Sequence, residues 1–346
     1  ARDATVHSYS RDRAVRVRYT PEWLDPDSAD WQLPIEEYEP QPDDVNGVTI
    51  DMSPLHDQIS RRFADDTFLD DLRISLGRHF AYLMARGFEI TLNEQPIWPE
   101  TVQLVSSDSI KPYDYSAVVG SVQIQVTVGF YRKLTRQEEI EEATDPNHAE
   151  DATVTGAPGI TVVCNGRVIE ISDTTTITGW GVGTTPRYHP QFRAISGLIQ
   201  FHSKHAEELP ISTTKRNLDT DSEVYRPARN AAMAGIKHFV SFTNKWKGAE
   251  EETDELFESR DFVEASEVKL ATESGAGSRN QRLNERTFKP DLPSPPGVRR
   301  KRRIAFSRDI DEIKELGAAL LGDESVSASS IGQTAWEETL KRERSK

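Results

Sequence analysis

ELPISTTKRNLDTDSEVY, residues 208–225, is the stretch on which the reading of this chain turns. It is polar, enters through Pro210, and gathers Ser212, Thr213 and Thr214 ahead of Lys215 and Arg216. At Tyr225-Arg226-Pro227 it gives way to a helix start, since proline is accepted in a first helical turn. Upstream, FRAISGLIQF (192–201) reads as a buried strand. Downstream, Ala232, Ile236, Phe239, Val240 and Trp246 recur on one helical face. The stretch is thus a loop between a core strand and a core helix. Three hydroxyls and two cations suit a phosphate, because hydroxyls donate and lysine supplies a compact charge. A solvated surface turn explains the same composition equally well.

Working outward, GITVVCNGRVI (159–169) predicts a hairpin on an Asn165-Gly166 turn, the strongest short-range hairpin signal. Residues 116–134 alternate through Val122, Ile124, Val126 and Val128 and read as one strand. Residues 138–151 are an acidic insertion with little to bury, a solvated excursion in preference to a metal site. Gly179-Trp180-Gly181-Val182-Gly183 follows a Thr-rich turn instead of opening a helix, which marks a loop more than a phosphate cradle. Further upstream, Thr67 is placed to cap a helix whose Phe68, Leu72, Leu76, Phe80 and Leu83 form a core stripe, ended by Gly87. Residues 88–93 and 95–99 read as strand, turn and edge segment, and Gly47–Met52 as a short strand. At the start, Ala4–Tyr9 and Ala14–Tyr19 alternate as a hairpin that needs a larger sheet to be stable.

Composition limits the rest. The chain has 346 residues, is 36% hydrophobic and carries a net charge of -15, enough apolar content for a sizeable core and too acidic for a surface that attracts nucleic acid everywhere. The lone Cys164 excludes an internal disulfide and a multi-cysteine zinc site, fits a reducing cytoplasm, and sits in an apolar run as a small core residue. No apolar run reaches the roughly 18 residues of a membrane span. His202 and His205 lack a third ligand at metal spacing. Beyond Trp246 the chain turns acidic, then rich in Gly and Ser, then in Pro, and ends this linker in Arg299-Arg300-Lys301-Arg302-Arg303. Five consecutive cations contact phosphates without reading sequence, or simply balance the acidic linker. Ser307 caps a predicted helix through Ile310, Ile313, Leu316 and Leu320, and residues 329–346 form a second.

From about Asn46 to Trp246 the order of strand, helix, Gly87-Phe88-Glu89-Ile90-Thr91-Leu92-Asn93 strand and turn, followed by the PISTTKRNLD segment, resembles the second, transducer domain of GHKL ATPases, the group of gyrase B, MutL, the ninety-kilodalton heat-shock chaperones and the MORC proteins. The resemblance implies an α+β fold: a mixed sheet of roughly four strands with helices on one face and a left-handed β-α-β crossover, an exception to the right-handed rule. It implies that residues 1–45 are the closing strands and connector of a nucleotide-binding domain, 46–247 the transducer, 248–304 the linker and 305–346 two short helices. By the same resemblance Lys215 reaches the terminal phosphate of ATP, with Arg216 and Thr214 beside it. Magnesium, the adenine contacts and the base for water would then be held by the protein's own N-terminal nucleotide-binding domain. The helical Asn, Asp-x-Gly-x-Gly and glycine-rich lid motifs of that domain do not occur in this sequence. Homodimerisation, action on DNA or a client protein, and a role in phage defence are further implications. The alternative is a non-enzymatic module that binds protein or nucleic acid.

Overall fold

The computed structural model describes residues 3–10, 13–25, 27, 32–39, 46–135, 157–212, 217–247, 253–258, 260–273, 284–295, 307–323 and 326–344. The chain divides into two compact units, Ala1–Pro295 and Pro296–Lys346.

The first unit opens with an antiparallel sheet of β1 (Ala4–Ser10), β2 (Arg13–Tyr19), β3 (Ile35–Tyr38) and β4 (Gly47–Met52), ordered β3-β2-β1-β4. The expected N-terminal hairpin thus finds the larger sheet it needs. Register sets Val6 between Val17 and Ile50, and His7 between Arg16 and Thr49, so period-2 alternation gives one apolar and one polar face.

Two helices follow, α1 (Asp57–Phe63) and α2 (Asp66–His79). The cap of α2 lies two residues earlier than the sequence suggests: Asp65 and not Thr67 caps it, its carboxylate accepting the Thr67 N–H at 3.0 Å. The helix breaks at Phe80 into a short α3 (Ala81–Met84), and Gly87 ends it at φ +97°. Phe68, Leu72 and Leu76 are only half-buried. The small hairpin β5 (Thr91–Leu92) and β6 (Gln95–Pro96) and the strand β7 (Gln103–Ser106) complete this part.

The core is a mixed six-stranded sheet. Its members are β8 (Tyr113–Val119), β9 (Val122–Phe130), β10 (Gly159–Cys164), β11 (Arg167–Asp173), β12 (Ile195–His202) and β14 (Arg286–Phe288), ordered β11-β10-β12-β9-β8-β14. The single strand expected over 116–134 is a hairpin, since Gly120 at φ +59° and Ser121 reverse the chain and pair Val119 with Val122. The Asn165-Gly166 hairpin forms as expected, and both turn residues have positive φ.

The helix α4 (Tyr225–Lys245) lies on one face of this sheet, where Ile236, Phe239 and Phe242 meet Ile124, Val126, Val128 and Phe130. On the opposite face Ala81 and Tyr82 of α3 join Leu104, Tyr131, Val163 and Leu198. Helices therefore cover both faces, a correction to the expected one-sided arrangement. Its cause is legible in β10, every residue of which is buried: a strand in the middle of a sheet needs a lid above and below.

β10 and β12 run parallel as neighbours, with Val162 opposite Ile199. Their connection is β11 and the Gly-, Thr- and Pro-rich stretch 174–194, which forms turns and one 3₁₀ turn at Pro190–Phe192 and no α-helix. This parallel step is therefore not a β-α-β unit.

Residues 254–295, linker by composition, contribute α5 (Asp254–Glu258), β13 (Asp261–Glu264) paired with β7, α6 (Leu270–Glu273) and the sheet-edge strand β14. Phe257 is fully buried against Phe130, and His238 and Trp246 of the α4 region bond to the carbonyls of Pro290 and Pro293 at 2.8 and 3.2 Å. Apolar anchors spaced through a polar segment fix it to the body. The expected insertion at 138–151 lies outside the described residues.

The second unit holds α7 (Ile310–Leu321) and α8 (Ala328–Arg344). Asp309, and not Ser307, caps α7 by accepting the Asp311 N–H at 3.1 Å, and Gly322 closes it at φ +72°. Gly317 lets Ile331 approach, and a Cβ there would lie 2.9 Å from Ile331 Cδ1.

Candidate functional site

The loop singled out by sequence starts from a rigid base. At one end of the six-stranded sheet three strand tips are tied together. The Asn165 carboxamide donates to the Ser203 carbonyl at 2.8 Å and accepts the Ser203 N–H at 3.0 Å. Ser121 shares a 2.7 Å hydrogen bond with Ser203 and donates its hydroxyl to Glu208 at 2.5 Å. That bond, foremost, draws the pKa of the Glu208 carboxyl down. The β8–β9 turn, the β10–β11 turn and the end of β12 are thereby locked where the chain leaves the core.

From this base the chain forms a neck. Ile211 bridges to Leu218, the Ser212 N–H donates to the Asn217 carbonyl at 2.9 Å, and the Asp219 N–H donates to the Pro210 carbonyl at 3.0 Å. Ile211 and Leu218 pack against the main core. Residues 213–216, which include Thr214, Lys215 and Arg216, lie outside the described residues, as do Arg299, Arg300, Lys301, Arg302 and Arg303.

Beyond the neck, Ser222 accepts the N–H groups of Val224 and Tyr225 on its hydroxyl and carbonyl at 3.3 and 3.1 Å. The buried Tyr225 donates its hydroxyl to the Ile177 carbonyl at 2.9 Å, and burial raises its pKa. The start of α4 is thus pinned by an aromatic side chain and a serine, with no side-chain cap at Val224.

The glycine cluster has a packing cause. A Cβ on Gly179 would lie 2.4 Å from Met233 Cγ, so the loop must lack a side chain to let α4 approach, and its φ of +107° demands glycine as well. Next to it Asp173 accepts from the backbone N–H groups of Thr175 and Thr178 and from both hydroxyls, which leaves that carboxylate fully engaged.

Two features escaped the sequence reading. Asp114, in the interior strand β8, is 1% exposed and accepts the Ala271 N–H at 2.8 Å. Burial pushes its pKa up to about 6 against the pull of that N–H and of the Gln125 and Thr127 side chains. The signal was available, as a charged residue between Tyr113 and Tyr115 in an apolar strand. The second is a trough of about 1010 Å³ on the sheet face away from α4, into which Gln123, Gln125 and Gln200 project. Its floor is made by the glutamines at the polar positions of VQIQV and LIQF, residues that do not by themselves tell whether their face is covered. Among the described residues there is no grouping of three His, Cys, Asp or Glu at metal spacing, and no helix is long and apolar enough to cross a membrane.

No protein-family model matches the chain, and no curated protein matches it. Several solved structures share part of its path. One is the 43K ATPase domain of Thermus thermophilus gyrase B in complex with an aminocoumarin, at 10% identity and TM-score 0.32 over 74% of this chain and 72% of that chain. Another is the B-subunit of the DNA gyrase from Myxococcus xanthus, at 10% identity and TM-score 0.29 over 68% of this chain and 66% of that chain. A third is the N-terminal domain of a DNA repair protein, at 11% identity and TM-score 0.34 over 68% of this chain and 72% of that chain. These are likenesses of shape. They assign no family.

Proposed function

We propose that this chain is the transducing part of an ATP-driven conformational switch of the GHKL kind, with Lys215 as the group that senses the terminal phosphate. The observation that carries the reading is the hydrogen-bonded neck at Ser212 and Asn217, set between a locked strand end and the 21-residue helix α4. A force applied to residues 213–216 has a short, stiff route into the core, because Ile211 and Leu218 pack there and α4 begins a few residues later.

In this mechanism the Lys215 ammonium is a preplaced cation for the oxygen that gains charge as the terminal phosphoryl leaves, and Arg216 and the Thr214 hydroxyl add donors to the same phosphate. Magnesium and the nucleotide are held by a nucleotide-binding domain of the same protein, and β1, β2 and β3, within residues 1–45, are its closing strands, onto which β4 of the transducer part pairs. ATP and ADP differ in the charge offered to Lys215, and that difference in affinity sets how far the loop and α4 shift. Contact of Arg299–Arg303 with DNA phosphates belongs to this proposal and is read by a binding constant that falls steeply with salt.

The test is ATP turnover by the full-length protein. Lys215→Ala is expected to lower kcat by about a hundredfold, the scale for loss of one preplaced donor, with ATP affinity retained. Wild-type kcat in that variant removes Lys215 from the mechanism.

A further inference from the structure

The face of the six-stranded sheet away from α4 is closed at one end by Leu104, Tyr131 and Tyr82 and open at the other, where β8, β9 and β12 floor the trough. Register arranges this floor in two rows. Ser116, Gln125 and Gln200 stand side by side in one, and Val118, Gln123 and His202 in the next. Arg86 and Gly166 line it by the β10–β11 turn, and Arg286 of β14 lines it beyond β8, so the floor crosses from one wall to the other.

Strands in the middle of a sheet with cover on both faces are normally apolar on both. Here the same face changes from leucine, valine and tyrosine to glutamine within a few residues, and the change coincides with the loss of cover. Amides cannot be closed over without partners, since each unmet donor or acceptor costs about 1–3 kcal/mol. Gln125 spends its amide on the Val268 carbonyl. Ser116, Gln123, Gln200 and His202 have no side-chain hydrogen-bond partner among the described residues, and they face one open space.

We propose that this trough binds an extended polypeptide segment, with the carboxamides of Gln123 and Gln200 paired to its backbone. A carboxamide offers both a donor and an acceptor, the same set that one peptide unit presents, so a glutamine satisfies an N–H and a C=O together. The floor bears no fixed charge, and on the walls Glu264 and Glu267 are balanced by Arg86 and Arg286, so the trough lacks the net positive charge that a phosphate backbone needs and suits a neutral peptide backbone. Strands spaced about 4.8 Å apart make the crossing from β10 to β8 roughly 15 Å, the span of about five extended residues. The trough shares no lining residue with the 212–217 neck and does not depend on the phosphate-sensing role proposed for it.

The experiment follows the side-chain NH₂ resonances of selectively labelled glutamine in the full chain. It is titrated with a pool of acetylated, amidated neutral hexapeptides and separately with a dodecathymidine strand. Shifts of Gln123 and Gln200 with the peptides, saturable and absent with the oligonucleotide, are the expected result. In a companion titration Gln200→Leu is expected to weaken the peptide response about tenfold. Gln200→Ser gives the same reading without added apolar bulk. No shift with the peptides, or an equal shift with dodecathymidine, overturns the proposal.

Discussion

At Asp114 the energetics of a single buried group set a pH dependence. Its folded pKa, about 6, lies above the 3.8 of an ordinary aspartate, so the folded state holds a proton more tightly than the unfolded chain. Stability from this group is therefore present below about pH 4 and is lost as pH rises through 6, by about 3 kcal/mol at most. Asp114→Asn keeps an oxygen for the Ala271 N–H and removes the buried charge. Urea unfolding is expected to show the variant more stable than the wild type at pH 8 and nearly equal at pH 4. A difference that does not change with pH contradicts the assignment. His238 acts with the opposite sign. Burial and the neighbouring Lys289 and Lys245 lower its pKa, burial most, so its contribution is present above pH 6.5 and fades as pH falls through the lower folded value. His238→Gln is expected to remove that acid-side loss, again measured by unfolding against pH.

At the scale of elements, the approach of α4 to the sheet rests on Gly235. A Cβ there would lie 2.8 Å from Val128 Cβ and 3.0 Å from Tyr113 Cδ1. Alanine gains about 1 kcal/mol of helix propensity over glycine, whereas overpacking a core costs about 1–3 kcal/mol. The clash wins, and Gly235→Ala is expected to lower stability by up to about 2 kcal/mol in denaturant unfolding, although the same change on an exposed helix face stabilises. A gain in stability would show that α4 does not approach the sheet this closely. In the second unit, Ile331→Ala is expected to cost about 2–4 kcal/mol and to melt α7 and α8, read as lost helical circular dichroism in a peptide of residues 307–344 compared with its parent. Elements with a strong local signal were legible before any coordinates: the Asn165-Gly166 hairpin, the N-terminal hairpin, α4 and the two tail helices. The 116–134 hairpin was not, because Gly120 and Ser121 interrupt an alternation that runs through them without changing its apolar character. The strands in 254–295 were not, because their cross-strand partners Val105 and Ser116 lie far away in sequence.

For the molecule as a whole, the core could be counted from apolar residues, but its layering could not. That helices cover both faces depends on which faces of β10 and β12 find partners, information spread over residues 81 to 265. The candidate loop was legible as a polar stretch between a core strand and a core helix, which β12 and α4 are, but its hydrogen-bonded neck was not. The trough was not legible, since a glutamine in a strand says nothing of whether its face is covered. If α4 transmits nucleotide occupancy, amide hydrogen exchange across Tyr225–Lys245 in the full-length protein is expected to differ between ATP-bound and ADP-bound states and to lose that difference in Lys215→Ala. Equal protection in both states of the wild type would sever the helix from the switch.

The central claim is that Lys215 meets the terminal phosphate of a bound nucleotide, and photo-crosslinking tests it most directly. An ATP analogue with its photoreactive group on the terminal phosphate is irradiated on the full-length protein, and the adducts are mapped by mass spectrometry. The account predicts a modified peptide that contains Lys215, competed away by ATP. Saturable adducts confined to other parts of the protein would contradict it.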